Sequence, residues 1–240
     1  MTIIGEIPAR EGSKRVPAKN LRQLDGQPLI RYAIDAAKGA SLLTDVYVNT
    51  ESEAIGSLAR EAGVRWYRRP AELASDAATQ DQFNYDFIQS VKPDVLVMVN
   101  PVAPLIEAAD IDAIVRAFLD RDVDTLITVR EEYAHAYCEG RPVNFSPQRQ
   151  LPRTQDLPPL QICSWSVAVW RASAFVSQYE RDGHAAFCGR VGFFPIDRFK
   201  ALKISYEDDF RLAEAFLAYR RQIRTSAVPA LAAEAGGSRS

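Results

Sequence analysis

Short apolar runs of strand length return along this chain with amphipathic stretches of helical period between them. That alternation constrains its fold more than any other feature. Residues 3–7 form the first buried-strand run; Pro28 then opens a stretch in which Leu29, Ile30, Ala33, Ile34 and Ala37 fall on one helical face. Residues 45–50 predict a second strand, 53–62 an amphipathic helix closed by Gly63, and 64–67 a short third strand. A helix follows over about 79–90 with Phe83, Phe87 and Ile88 inward, and 94–99, the most apolar strand, belongs at the centre of a sheet. A helix at 111–119 and a strand at 125–129 repeat the pattern. Strands separated by helices at this spacing form βαβ units, so the chain reads as α/β, a mainly parallel sheet covered by helices on both faces.

The regularity breaks over 131–159, where Pro142, Pro147, Pro152, Pro158 and Pro159 describe an excursion from the sheet. A strand at 164–170 and a helix at 172–179 resume the pattern. The last helix is expected over 208–220, with Phe210, Leu212, Ala213, Phe216 and Leu217 inward. The Ala-, Gly- and Ser-rich stretch 226–240 reads as a disordered tail. With 240 residues, 47% of them hydrophobic, residues 1–225 suffice for one domain whose core needs no disulfide or structural metal.

Twenty-nine basic against 31 acidic residues, net −2, argue against a general nucleic-acid binder but leave room for a local basic pocket. Cys138, Cys163 and Cys188 fit no Cys-x-x-Cys pattern and join with His135 or His184 in no zinc spacing, so free thiols in a reducing compartment are expected. The N-terminal residues lack signal-peptide character, and no apolar run approaches the roughly 18 residues of a membrane span. The expectation is a cytoplasmic, soluble chain with no membrane or nucleic-acid partner.

The first loop carries the chemistry. It reads Arg10-Glu-Gly12-Ser13-Lys14-Arg15-Val-Pro17-Ala-Lys19-Asn20, between the first strand and the first helix. In open α/β sheets, ligands bind beyond the carboxyl ends of strands, where such loops lie. Gly12 lets backbone approach an anion closely and backbone N–H groups line a nest. Arg10, Lys14 and Lys19 would add charge-assisted hydrogen bonds to phosphate oxygens. Neither the Gly-x-x-x-x-Gly-Lys-Ser/Thr phosphate loop nor Gly-x-Gly-x-x-Gly is present.

At these residues the sequence resembles the CMP-sialic acid synthetase family, cytidylyltransferases that activate nine-carbon ulosonic acids. The stretch Ile-Pro-Ala-Arg10-x-Gly-Ser-Lys14-Arg-Val-Pro-x-Lys19-Asn20-Leu is similar to that family's nucleotide-binding signature. Asp25-Gly-Gln-Pro-Leu-Ile, Val-Asn-Thr50-Glu-Ser-Glu, Arg69-Pro-Ala-Glu-Leu-Ala-Ser-Asp76-x-Ala-Thr79 and Glu207-Asp208-Asp-Phe match in order, covering roughly 1–220. The resemblance implies a Rossmann-like nucleotide-diphospho-sugar transferase fold that moves CMP from CTP to an acidic sugar and releases pyrophosphate, for surface glycan assembly. It also implies a homodimer joined through about 130–165, with Mg²⁺ entering with CTP. By the same likeness Arg10, Gly12, Ser13, Lys14 and Lys19 hold the triphosphate and Asn20 the nucleotide. Arg69, Asp76, Thr79 and Gln80 flank the nucleoside or triphosphate, and Asn100 and Gln161 face the sugar; Arg10, Lys14 and Lys19 carry catalysis. From the residues alone, Arg69 reads equally as a loop charge and Asp76 equally as a helix cap, while Asn100 reads first as a strand-end turn.

The chain departs from the family in places. Members carry an Asp-x-Asp pair that holds Mg²⁺ before the last helix; here Lys203 and Ser205 stand there. A lysine cannot ligate Mg²⁺, which takes oxygen ligands. Either Lys203 replaces part of the metal's charge, or other acids, Asp208 and Asp209 foremost, bind a nucleotide-borne ion, or the usual reaction is lost. Asn100-Pro-Val-Ala-Pro104 replaces Gln-Pro-Thr-Ser-Pro-Leu-Arg, and Leu-Gln161-Ile-Cys-Ser-Trp165 lacks Arg-Pro-Asn-Gly. The alternatives are therefore the same fold acting on another sugar or nucleotide, or a catalytically reduced binding paralogue.

Overall fold

The computed structural model describes residues 1–12 and 16–234, with side chains as far as residue 222. The strands are β1 (Ile3–Pro8), β2 (Gln23–Leu24), β3 (Gln27–Pro28), β4 (Asp45–Thr50), β5 (Arg65–Arg68), β6 (Val95–Val99), β7 (Thr125–Glu132), β8 (Tyr137–Cys138), β9 (Arg141–Pro142), β10 (Leu160–Arg171) and β11 (Val191–Pro195). The helices are α1 (Leu29–Gly39), α2 (Glu53–Glu61), α3 (Gln80–Val91), α4 (Ala108–Asp120), α5 (Ala172–Asp182) and α6 (Glu207–Glu234). A seven-stranded sheet runs β11-β7-β10-β6-β1-β4-β5, while β2–β3 and β8–β9 are separate two-residue ladders.

Every residue of β6 is buried, as a strand covered on both faces requires. On one face, Ile30 and Ile34 of α1, Ile55 of α2 and Ile114 and Phe118 of α4 pack on Ile3, Ile7 and Val97. On the other, Phe87 and Ile88 of α3 and Phe175 of α5 pack on Ile4, Leu96, Met98 and Trp170. Phe210 and Ala213 of α6 join Leu24, Leu29 and Ile204 in a third cluster, which seats α6 against the segment leading into α1.

The sheet is mixed. β1 pairs in parallel with β4 and β6, β4 with β5, and β7 with β11, but β10 runs antiparallel between β6 and β7. A parallel return needs a crossover, usually helical. The chain between β7 and β10 instead holds the β8–β9 ladder and a 3₁₀ turn at Thr154–Asp156, and it re-enters the sheet reversed. The expected excursion is there, and it inverts the strand that follows.

β11 was not anticipated from the sequence, where Gly192 and Pro195 mask a short edge strand. α6 also runs to Glu234, past the expected end at 220 and into the stretch expected to be disordered. That stretch holds Ala227, Ala230, Ala232 and Ala233, and alanine is the strongest helix former. Residues 235–240 lie outside the described residues.

Candidate active site

Because β1 and β6 are parallel neighbours, Pro8 and Val99 end at the same edge of the sheet. A cavity of about 380 Å³ opens there. Its walls come from three stretches: Pro8, Arg10, Gly12, Lys19 and Asn20 after β1, Asn100–Val102 after β6, and Lys203–Ser205 ahead of α6. Among the described residues, the lining therefore contains the cations Arg10, Lys19 and Lys203 and no carboxylate.

Hydrogen bonds stitch these stretches together. The Lys19 ammonium donates to the Ile204 carbonyl at 3.0 Å, and the Ile204 N–H to the Val102 carbonyl at 2.9 Å. Asn20 donates its amide to the Arg10 carbonyl at 3.0 Å, while its buried Oδ1 has no partner among the described residues. Arg10 pairs with Asp76 at 2.8 Å and reaches the Ala74 carbonyl at 3.4 Å, which ties the first loop to the entry of α3. Ser13 and Lys14, expected at the triphosphate, lie outside the described residues.

Asn100 is held by a bulge in β10. Pairing of β10 with β7 slips between Cys163 and Ala168, and Trp165 adopts φ +55°, a left-handed conformation costly for an aromatic residue. The bulge presents the Trp165 carbonyl to Asn100 Nδ2 at 3.2 Å and the Ser166 carbonyl to the Asn100 N–H at 3.0 Å. Asn100 Oδ1 accepts from the Val102 N–H at 3.3 Å, so its amide spans two strand ends.

The other expected residues divide. Arg69 follows β5 and is only 4% exposed. Its Nε and Nη2 donate to the Asn49 side-chain and main-chain oxygens, both at 2.8 Å, and its guanidinium lies 4.3 Å over the Phe83 ring. Arg69 is thus a built-in cation rather than a loop charge. Thr79, not Asp76, caps α3, as the Thr79 hydroxyl accepts from Gln82 N–H and the Gln82 side chain accepts from Thr79 N–H. Gln80 begins α3 with a buried Nε2 that has no partner among the described residues. Gln161 is exposed, donates to Glu131 at 3.4 Å and does not line the cavity. It sits on the part of β10 beyond the bulge, where β7 is its neighbour and β6 is not.

The donor set does not fit a magnesium ion held by the chain's own carboxylates. Lys203 and Ser205, the residues in the position of the family's Asp-x-Asp, line the cavity. Asp209 Oδ2 accepts from the Ser205 and Tyr206 N–H groups, each at 2.8 Å, and so serves the start of α6. The Asp208 side chain is 94% exposed beside Arg211. Neither acid lines the cavity, and among the described residues no group of three His, Cys, Asp or Glu side chains could hold a metal.

Glu6 was missed on the sequence because it sits inside an apolar run. It is fully buried in β1 and accepts from Asn49 Nδ2 at 2.5 Å. Burial raises its pKa to about 7, against the pull of the Asn49 hydrogen bond and the Arg69 charge. Cys188 is buried beside the Thr125 hydroxyl, and burial pushes its thiol pKa up, the reverse of what a nucleophile needs. A larger cavity, of about 620 Å³, lies among α1, the start of α4 and α6. Its cations Arg220 and Arg221 pair with Glu107 and Asp25.

Comparison with known proteins gives the chain's family. Residues 4–223 match the family described as Cytidylyltransferase. An N-acylneuraminate cytidylyltransferase of Streptococcus agalactiae serotype V is 26% identical over 213 residues, which cover 85% of this chain and 50% of that protein. The chain therefore spans about half the length of that relative. Post-translational flagellin modification protein B of Campylobacter coli is 27% identical over 234 residues, covering 88% of this chain and 93% of that protein. The structure of CMP:2-keto-3-deoxy-manno-octonic acid synthetase complexed with CTP superposes with a TM-score of 0.69 at 14% identity, covering 92% of this chain and all of that one. The fold is α/β with a mixed sheet and surrounding helices, like that of the nucleotide-diphospho-sugar transferases. The chain belongs to the cytidylyltransferase family, which classes it among CTP-dependent nucleotidyltransferases. Among the described residues, no helix is long and apolar enough to cross a membrane.

Proposed function

We propose that this chain transfers CMP from CTP to a hydroxyl of an acidic sugar of the ulosonic type, with release of pyrophosphate. The observation that carries the proposal is the cation-lined, carboxylate-free cavity at the carboxyl ends of β1 and β6. Such a lining suits a triphosphate, whose oxygens take charge-assisted hydrogen bonds from Arg10, Lys19 and Lys203. Lys14, Ser13 and the Gly12 backbone belong to the same anion site in this reading. Asn20, with an unpartnered acceptor oxygen, meets a donor of the nucleotide, and Arg69 and Gln80 lie on its nucleoside side. Asn100, fixed by the bulge, faces the sugar.

In the reaction the sugar hydroxyl oxygen bonds to the α-phosphorus. The bond to the bridging oxygen breaks, pyrophosphate leaves, and the hydroxyl proton passes to solvent or phosphate. Charge grows on phosphate oxygens in the transition state, so preorganised cations supply the stabilisation and no protein nucleophile is needed. Magnesium enters, in this proposal, only as the complex with CTP. The exposed Tyr137, Val143, Leu151 and Ile162 of the excursion support its use as the contact between two copies.

Lys203 and Ser205, where a metal-holding site would need oxygens, favour a second reading, a paralogue that binds nucleotide or sugar without the standard chemistry. A pyrophosphate-release screen of the four nucleoside triphosphates against several ulosonic acids and sugar phosphates separates the two. Release with CTP and one acid is expected. Release with another nucleotide or with a sugar phosphate would move the assignment within the fold. Tight CTP binding without any release would establish the paralogue.

A further inference from the structure

The cavity residues leave Glu6 unexplained. A carboxyl group in the middle of β1, fully buried and within an otherwise apolar strand, is costly unless something uses it. Its Oε1 accepts from Asn49 Nδ2 at 2.5 Å, and Asn49 Oδ1 accepts from Arg69 Nε at 2.8 Å. A carboxylate only accepts and a guanidinium only donates, so the Asn49 amide between them has one allowed orientation. The second bond from Arg69, Nη2 to the Asn49 carbonyl, and the Phe83 ring under the guanidinium fix its plane. Among the described residues, Nη1 is the guanidinium nitrogen without a hydrogen bond.

We propose that Glu6 is a positioning residue for nucleotide binding: acting through the Asn49 amide, it holds Arg69 so that one guanidinium nitrogen is presented to the nucleotide. The inference rests on the reading of Arg69 as a nucleotide contact. Protonating Glu6 breaks the polarity of the relay. The neutral acid gains an O–H that competes with Arg69 for Asn49 Oδ1, and an amide turned to suit it would set its NH₂ against the guanidinium. Glu6 titrates near neutrality, at about 7. The charged groups facing it are Arg69, which favours the anion, and Asp86 of α3, which opposes it. The Tyr67 hydroxyl of β5 donates to Asp86 at 2.7 Å and, with its pKa pushed by burial to about 12, stays neutral over this range.

The test measures CTP affinity by calorimetry, and KM and kcat by pyrophosphate release, between roughly pH 5.5 and 8.5, a range that brackets the group's titration. Wild-type affinity is expected to strengthen as pH rises through about 7. Glu6→Gln keeps an acceptor for Asn49 and loses the titration, so it should bind CTP well with that rise removed. The nucleotide's own phosphate titrates identically in both proteins, so the difference between the profiles is the reading. Glu6→Leu should weaken CTP binding about tenfold, roughly the strength of one such contact, with the loss on KM rather than kcat. Combined with Arg69→Ala it should add nothing, because both break one relay. A Glu6→Gln profile identical to wild type, or fully additive losses in the double variant, would overturn the proposal. If Glu6→Leu fails to fold, the Glu6→Gln profile still decides. A wild-type protein that binds no CTP at any pH contradicts the nucleotide reading itself, and the relay proposal falls with it.

Discussion

The two halves of the sheet are built by different rules. β1, β4, β5 and β6 are all parallel; most of the residues proposed for the nucleotide follow β1 and β5, and Asn100, proposed for the sugar, follows β6. β7, β10 and β11 mix directions, carry the bulge with the left-handed Trp165, and extend beyond the sheet into the excursion with its exposed aromatic and aliphatic side chains. In the parallel half the strand ends form one edge, and the loops after β1 and β6 line one cavity. In the mixed half the chain reverses; Trp165 and Ser166 hold Asn100 across the boundary, and Ile204 bonds back to Lys19 and Val102. In the proposed function most of the triphosphate contacts come from the regular half, and Lys203 joins them from the segment between β11 and α6.

The largest expected effect tests the regular half on its own. Glu6 has its folded pKa raised from 4.5 to about 7 by burial, so the folded state binds the proton more tightly than the unfolded chain. Its stabilising contribution is complete below about pH 4.5 and is lost as pH rises to about 7, by about 3 kcal/mol. Urea unfolding of wild type and Glu6→Gln across that window should differ by this slope. Parallel profiles would mean the carboxyl is not buried as described.

Next in size is the contrast between the halves. Lys19→Ala should weaken CTP binding by about 1.5–3 kcal/mol, ten- to a hundredfold, and Lys14→Ala by a similar factor. Gln161→Ala, in the irregular half, should leave CTP affinity within about twofold, as surface changes usually do. Equal losses from Lys19→Ala and Gln161→Ala would erase the division. Thr79→Ala sharpens it further: as the cap of α3 it should cost about 1 kcal/mol in thermal stability with little change in CTP affinity. A selective loss of CTP binding would return Thr79 to the nucleotide site. Smallest is the double variant Cys138→Ser with Cys163→Ser, expected to turn over within about twofold of wild type, since no step uses a thiol. Abolished turnover in a folded protein would require a covalent mechanism.

How much of this was legible in the sequence follows the same division. Periodicity located β1, β4, β6, α1, α2 and α3 within a few residues because each is long enough to show its buried face. The composition of the first loop offered Arg10, Gly12 and Lys19, and the family resemblance added Asn20, Asn100, Lys203 and Ser205; these seven residues line one cavity. The reversal of β10 was not legible, since period-two alternation looks the same in either direction. β11 escaped because it is short, with Gly192 inside it and Pro195 at its end. Glu6 and Asn49 escaped for a different reason: a lone polar residue in a strand declares its partner only when the neighbouring strand is in register, and Glu6 faces Tyr47, two residues before Asn49. The acids Asp208 and Asp209, adjacent to the cavity in sequence, belong to the start of α6 and not to the cavity.

The central claim is that a cation-lined, carboxylate-free cavity takes the triphosphate directly. Calorimetric titration of CTP, once with divalent metal chelated and once with magnesium, tests it most directly. Free CTP carries more negative charge than its magnesium complex, so Arg10, Lys19 and Lys203 should bind it at least as tightly. Lys203→Asp with Ser205→Asp should reverse that order by adding carboxylates for the ion. A wild-type protein that binds CTP only when magnesium is present would contradict the account.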